Sequence, residues 1–413
     1  MTPLRVALVL DDFFPSSGGI ARSVQAQIEA LVALGHDVTL IAPRKHLRAP
    51  TVGRVLPWRS FHVDGLPAHL NVLVCGEGSA RRVKGRFDVV HSQTERGAVV
   101  LASRLARRHG VPHVHTFHAN IAGTHATLPF QAMWGSLSYE FLVTRALAFA
   151  SKRAPRFRPM LPPVTAEPDN NNYFSRLDWR SLAWIAAHVD EVTSPAQYML
   201  DNIERAAGQP IGGFAIPNSC RGPLPVPTGS DAPVHDGTVR FLSVGRLSKE
   251  KRLDVLVRAF RHARIPGAEL VFVGDGDQRT RLEDLAGPGV TFRGTLHSRG
   301  EIAREYAAAD ALVLASYRFD VQPMVLLEAG LAGLPVLYCD ERLTTGVSET
   351  SSMLVRPDVV SLAQGMRRMA DPATRARLCA NVAGTVEALT PETMARRYVE
   401  VYRLAIERGG RRG

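Results

Sequence analysis

Residues 4–10 read L-R-V-A-L-V-L, an apolar run that stops at Asp11-Asp12. So short and continuous a run suits a strand buried on both faces of a parallel sheet. Gly18-Gly19 then open a series of apolar residues, Ile20, Val24, Ile28, Leu31 and Leu34, spaced by three and four. That spacing predicts a helix, ended by Gly35, and V-T-L-I-A at 38–42 is the next strand. Strand, loop, helix and strand in this order form the repeating unit of a doubly wound α/β sheet, whose ligands sit at the carboxyl ends of the strands.

The pattern continues along the chain. N-V-L-V (71–74), F-D-V-V-H (87–91), P-H-V-H-T (112–116) and V-D-E-V-T-S (189–194) are further strand candidates, with helical stretches between several of them. From Gly208 the chain becomes dense in Pro and Gly, as a linker does. Alternation then restarts with V-R-F-L-S-V-G (239–245), L-V-F-V-G (270–274), V-T-F-R-G (290–294), A-L-V-L-A-S (311–316) and P-V-L-Y-C (335–339). The economical architecture is two doubly wound α/β domains, 1–207 and 237–394, joined by a linker at 208–236 and facing a central cleft. A last helix, about 395–413, is expected to pack back on the first domain.

Composition narrows the function. The 413 residues carry a formal charge of +11 and a sequence pI of about 9.9, a balance that favours an anionic partner. Nucleic acid is not the expected one, because no recognised module or interleaved aromatic and basic surface is present. Cys75, Cys220, Cys339 and Cys379 are far apart and form no C-x-x-C pair, which fits a reducing compartment and supports neither disulfides nor zinc. No apolar run approaches the ~20 residues of a spanning helix. A cytoplasmic protein, or one lying on the cytosolic face of a membrane, is expected.

Three strand ends carry glycine loops: Gly245 with Arg246 and Lys251 in V-G-R-L-S-K-E-K-R, Gly274 and Gly276 in V-F-V-G-D-G, and F-R-G-T-L leading to Thr295 and Leu296. A lone G-x-G is weak evidence, but three such loops at successive strand ends would converge on one crevice. The stretch 320–328, D-V-Q-P-M-V-L-L-E, places Asp320 ahead of a helix expected to begin near Pro323, with Glu328 more than a turn inside. Backbone N–H groups of Met324 and Val325 at such a helix start make a phosphate cradle, and the two acids could accept from hydroxyls on either side. A sugar nucleotide has hydroxyls at both ends of its diphosphate.

In combination these motifs resemble the donor domain of the retaining glycosyltransferases of family 4, which have the GT-B fold of two Rossmann-like domains. That family is marked by E-x7-E and by G-R-L-x-x-E-K; this chain has A-S-Y-R-F-D-V-Q-P-M-V-L-L-E-A-G-L-A-G-L-P-V and G-R-L-S-K-E-K. The likeness is strong over residues 240–340, and Gly18-Gly19 with A-L-G-H-D-V extends it to the start. The resemblance implies that Arg246 and Lys251 bind the donor diphosphate, that Glu328 holds the ribose and that position 320 holds the donor sugar. Asp320 is one methylene shorter than the family's Glu, and Pro323 has no N–H to give. The implied reaction moves a hexose from a nucleotide diphosphate sugar, of UDP-glucose or GDP-mannose type, with neither cofactor nor metal.

H-S-Q-T-E (91–95) and H-T-F-H (115–118) resemble segments of the family members that glycosylate diacylglycerol, which would put His118 beside the anomeric carbon. His113, His115 and His118 have an alternating spacing that hints at metal ligands, but no acid or cysteine partner is near in sequence. Phe130, Met133, Trp134, Leu137, Phe141 and Leu142 form a helical stripe followed by Arg145, Lys152, Arg153, Arg156 and Arg158. An aromatic stripe beside a basic cluster is the composition of a helix lying on anionic lipid, so a membrane lipid acceptor is expected. A soluble sugar or glycan acceptor, or sugar-nucleotide binding without turnover, are the alternatives. Residues 159–172, rich in Pro and Asn, read as a flexible loop.

Overall fold

The structure, a computed structural model, describes residues 2–14, 18–45, 47–48, 50, 52–62, 71–127, 129–220 and 237–410. The chain divides into two compact units: Met1–Ser219 with Pro391–Gly413, and Cys220–Thr390.

In the first unit the strands are β1 (Arg5–Val9), β2 (Asp37–Pro43), β3 (Arg54–Trp58), β4 (Ser60–His62), β5 (Asn71–Leu73), β6 (Val89–Ser92), β7 (His113–Thr116), β8 (Glu191–Ser194) and β9 (Phe214–Ala215). Seven of them form a parallel sheet in the order β3-β2-β1-β6-β7-β8-β9. The N-V-L-V candidate does not join it; β5 pairs antiparallel with β4 in a separate ribbon. The boundary also moves, because Phe214–Ala215 lies inside the expected linker yet adds the edge strand β9. Residues 221–236 of that linker lie outside the described residues.

In the second unit β10 (Arg240–Val244), β11 (Glu269–Val273), β12 (Val290–Gly294), β13 (Ala311–Leu314), β14 (Val336–Tyr338) and β15 (Ser352–Leu354) form a parallel sheet in the order β12-β11-β10-β13-β14-β15. Order reverses between β10 and β13, the switch point beside which ligands of doubly wound sheets bind. Helices Leu253–Ala263 and Val359–Ala370 cover one face, burying Leu256, Val257, Phe260, Leu362 and Met366 on it.

The last helix, Pro391–Gly410, begins earlier than the sequence pattern indicates and belongs to the first unit. Met394, Ala395, Tyr398, Val399, Tyr402 and Ala405 enter the core shared with helix Gly19–Ala33. Its tyrosines answer an oddity of the central strands, which bury His91, Ser92, His113, His115 and Thr116. Tyr402 Oη lies 2.8 Å from His91 Nδ1 and accepts from Gln27 Nε2 at 3.0 Å, while His91 Nε2 meets Thr116 Oγ1 at 2.7 Å.

The segment 159–172 has no regular element, but it is a pinned strap and not a flexible loop. Met160 N–H donates to Ala206 O, Trp179 Nε1 to Asp169 O and Asn120 Nδ2 to Asp169 Oδ2. Asp169 and Asn170 are buried, and the local Pro and Asn content conceals these distant partners.

Replacing Tyr402 with Phe leaves the packing surface intact and takes the hydroxyl from both Gln27 and His91. The expected loss is about 1–3 kcal/mol of stability, read as a lower urea midpoint at unchanged slope.

Candidate active site

The three glycine loops of the second unit touch one another through backbone. Gly245 and Gly274 have φ of 146° and 131°, which only glycine adopts without strain. A Cβ on Gly274 would lie 2.0 Å from Gly245 O, and one on Gly276 2.4 Å from Leu247 O. Gly274 N–H donates to Gly294 O at 2.8 Å, and Leu247 N–H to Asp275 O at 3.0 Å. The expected convergence is therefore present, and Gly274 and Gly276 have a packing reason to be glycine. Thr295 follows exposed, with Leu296 half-buried against the core.

Lys251 ends a short 3-10 turn, Lys249–Lys251, after β10. Its Nζ is 2.6 Å from Asp320 Oδ1 and stands over the Phe319 ring at 5.0 Å. Asp320 also accepts from Ser316 Oγ at 2.5 Å. The loop that carries it turns at Arg318, φ 57°, whose N–H is held by Asp340 Oδ2 at 2.7 Å. Arg246 is less enclosed, with Nη2 3.9 Å from Glu250 Oε1.

The helix after Asp320 is Met324–Leu331, and Pro323 is its N-cap, not part of its first turn. Met324 and Val325 thus supply its first N–H groups, which have no acceptor a turn back inside the helix. Glu328 is buried and accepts from Tyr306 Oη at 2.8 Å. Ser316 and Tyr306, which orient the two acids, carry no motif signal of their own. Arg246, Lys251, Asp320, Met324, Val325 and Glu328 all belong to the second unit.

Gly18, Gly19 and His118 belong to the first. Gly18 caps helix Gly19–Ala33 with φ 109°, a conformation that calls for glycine although the space beside it is open. His118 follows β7, is nearly buried and pairs through Nε2 with Gln93 Oε1 at 2.8 Å. His113 and His115 share one face of β7 and both meet Ser92 Oγ, at 2.8 and 2.7 Å. Among the described residues no group of three or more His, Cys, Asp or Glu is placed to hold a metal.

Burial tunes this polar set. It pushes His113 down to about 4 and His118 to about 3, so both rings are neutral at physiological pH. The same cause raises Glu95 to about 8, against the opposing pull of Arg96. Among the described residues Glu95 Oε1 finds no hydrogen-bond partner.

The helical stripe falls on Pro129–Ser138, a π-helical turn Tyr139–Val143 and Thr144–Ser151. Trp134, Phe141, Leu142 and Phe149 are exposed there, while Met133 and Leu137 are half-buried. The Phe130 side chain lies outside the described residues. Arg153 is tied to Asp190 Oδ1 at 2.8 Å, and Arg156 donates to the carbonyls of Ala186 and Asp190. Arg145, stacked over the Phe141 ring at 5.3 Å, and Lys152 and Arg158 are exposed. Among the described residues no helix is long and apolar enough to cross a membrane.

Two doubly wound parallel units in one chain, the second with cations and acids around a helix start, have the build of a GT-B glycosyltransferase. Family models agree: "Glycosyltransferase Family 4" matches residues 17–218 and "Glycosyl transferases group 1" matches 238–371. The chain belongs to glycosyltransferase family 4, as a hexosyltransferase with a nucleotide-sugar donor. It is 27% identical over 349 residues to a GDP-mannose-dependent alpha-mannosyltransferase of Mycobacterium tuberculosis, covering 82% of this chain and 80% of that one. It is 24% identical over 357 residues to the alpha-monoglucosyldiacylglycerol synthase of Acholeplasma laidlawii, covering 81% and 80%. Among solved structures, sucrose-phosphate synthase from Thermosynechococcus elongatus matches with a TM-score of 0.63 and 20% identity over 97% of this chain and 99% of that one.

The shifted groups predict a pH profile of stability. His113 and His118 bind protons in the unfolded chain near 6.5 but resist them when folded, so their contribution is present above 6.5 and lost as pH falls toward 4 and 3. Glu95 works oppositely: its folded form keeps a proton that the unfolded chain releases near 4.5, so stability declines as pH rises from there to about 8. Chemical denaturation should show stability falling as pH drops below 6.5, and the Glu95 contribution to the decline toward pH 8 lost in Glu95→Gln.

Proposed function

We propose that this glycosyltransferase moves a hexose, with retention, from a UDP-glucose- or GDP-mannose-type donor to a hydroxyl of a membrane glycolipid or diacylglycerol. The observation that carries the donor half is the grouping of Lys251, Asp320 and Glu328 around the start of helix Met324–Leu331. In this reading Arg246, Lys251 and the N–H groups of Met324 and Val325 take the diphosphate. Asp320 takes the sugar and Glu328 the ribose. Charge grows on the leaving phosphate as the glycosidic bond breaks, and fixed cations with a helix start lower its cost. That phosphate then accepts the acceptor's proton on the same face, so no separate base is required.

Lys251 and Asp320 form an ion pair at 2.6 Å. Lys251→Ala should keep the fold and lower turnover by about 10²–10³-fold, the usual effect of losing one donor to a developing anion. Asp320→Asn should be severely impaired, whereas Asp320→Glu should retain activity with altered donor preference. A panel of nucleotide sugars scored by thermal shift identifies the donor, since binding to the native state alone raises its stability. Parent-like turnover in Lys251→Ala would remove the diphosphate assignment.

For the acceptor half, the support is an exposed apolar face, Trp134, Phe141, Leu142 and Phe149, next to Arg145, Lys152 and Arg158. The diacylglycerol product in the name of the Acholeplasma laidlawii relative agrees with it. Each basic residue near an anionic surface contributes about 1 kcal/mol. Co-sedimentation with phosphatidylglycerol vesicles should therefore be seen at low salt, weaken with added salt, and fail in the triple variant Phe141→Ser, Leu142→Ser, Phe149→Ser. Absence of binding by the parent at low salt would point instead to a soluble sugar or glycan acceptor.

A further inference from the structure

Among the described residues, the buried polar atoms without a hydrogen-bond partner include Glu95 Oε1 and His115 Nε2, which lie 4.0 Å apart, and His113 Nδ1 on the same strand as His115. Both residues are shut from solvent, Glu95 being 1% exposed and His115 fully covered. Orphaned groups this deep are costly, and at 4.0 Å there is no room for a third heavy atom directly between them. Closing the gap by about 1 Å would bring them to hydrogen-bond distance. The charged and titratable groups around Glu95 are Arg96 on its own segment, Asp11 and Asp12 after β1, Tyr139 on the π-helical turn and His115 on β7. Arg96 does not answer it, being engaged by Asp12 and by Asn71 O.

Glu95 Oε1 and His115 Nε2 belong to the same two segments as the His118 contact. Gln93 and Glu95 follow β6, and His115 and His118 lie at the end of β7. We propose that Glu95 is a positioning residue for His118: its carboxylic acid donates to His115 Nε2 and, with the Gln93–His118 bond, clamps the two segments at a fixed spacing. This rests on the reading that puts His118 at the reacting centre.

Ser92 makes the proposal specific. Its single hydroxyl meets both His115 Nδ1 and His113 Nε2, so it donates to one ring and accepts from the other. With Glu95 donating, His115 bears its proton on Nδ1 and donates to Ser92, whose own proton goes to His113 Nε2. Once ionised, Glu95 can only accept. His115 must then carry its proton on Nε2, and the direction of the whole chain reverses. The burial that holds the Glu95 proton up to about pH 8 sets where this reversal occurs.

The test is histidine-selective nitrogen NMR of the full chain between pH 6.5 and 9, paired with turnover of UDP-glucose or GDP-mannose, whichever the chain accepts. In the parent, His115 should pass from the Nδ1-protonated to the Nε2-protonated tautomer with a midpoint near 8, and kcat should fall over the same range. Glu95→Gln, whose amide donates at every pH, should keep the Nδ1 tautomer, hold kcat within about threefold of the parent and lose the alkaline fall; Glu95→Ala should lose about a hundredfold in kcat at unchanged donor KM. A His115 ring that keeps one tautomer throughout in the parent would overturn the proposal. So would a parent-like alkaline fall in Glu95→Gln, which reads out even where Glu95→Ala does not fold. Full turnover in His118→Ala would instead remove the role of His118 and leave the tautomer switch standing.

Discussion

The hydrogen bond between His91 and Tyr402 joins residues 311 positions apart, and the first unit is complete only when it forms. The central strands of that unit bury histidine, serine and threonine where a parallel sheet ordinarily holds aliphatic residues. Each of those groups must find a partner inside the protein. On one face, Tyr402 of the last helix supplies it for His91. The chain therefore has to build the entire second unit and return before its first sheet is satisfied.

A different economy governs the second unit. There the sheet interior is mainly aliphatic and aromatic, with Ser243 and Ser352 buried on its strands, and the acids and cations of the candidate site lie in the loops and the helix beyond them. Asp320 is fixed between Lys251 and Ser316, and Glu328 by Tyr306, so both acids are oriented by the protein itself. On the proposed reading, a diphosphate that draws on Lys251 loosens its hold on Asp320 just as a sugar hydroxyl becomes available. One ion pair thereby responds to both halves of the donor.

Much of this was legible in the sequence, for a physical reason: doubly buried strands must be apolar runs, and their glycine-rich ends must be loops. What escaped were elements too short or too exposed to show a pattern. Strand β3 holds Pro57 at an edge, β9 is two residues inside a Pro- and Gly-rich stretch, and β15 is three residues long. Within the candidate site, Arg246, Lys251, Asp320 and Glu328 could be named from the matched motifs, but their orienting partners could not. Tyr306 is 22 residues from Glu328, and Gln93 is 25 from His118. Glu95 escaped too, because a lone acid after a strand looks solvated until its burial is known. The strap at 159–172 misled for a related reason: its anchors, Ala206, Trp179 and Asn120, lie in other parts of the chain.

The backbone lacing of Gly245, Gly274 and Gly294 has a consequence for how such an enzyme can change over generations. The frame at these three strand ends is held by carbonyls and N–H groups, and at Gly274 a Cβ would collide with Gly245 O. The exposed side chain of Thr295 takes no part in that backbone lacing. Such a side chain can change while the glycines stay. Divergence of specificity on this scaffold should run through the residues between the glycines, at little risk to the frame that carries them.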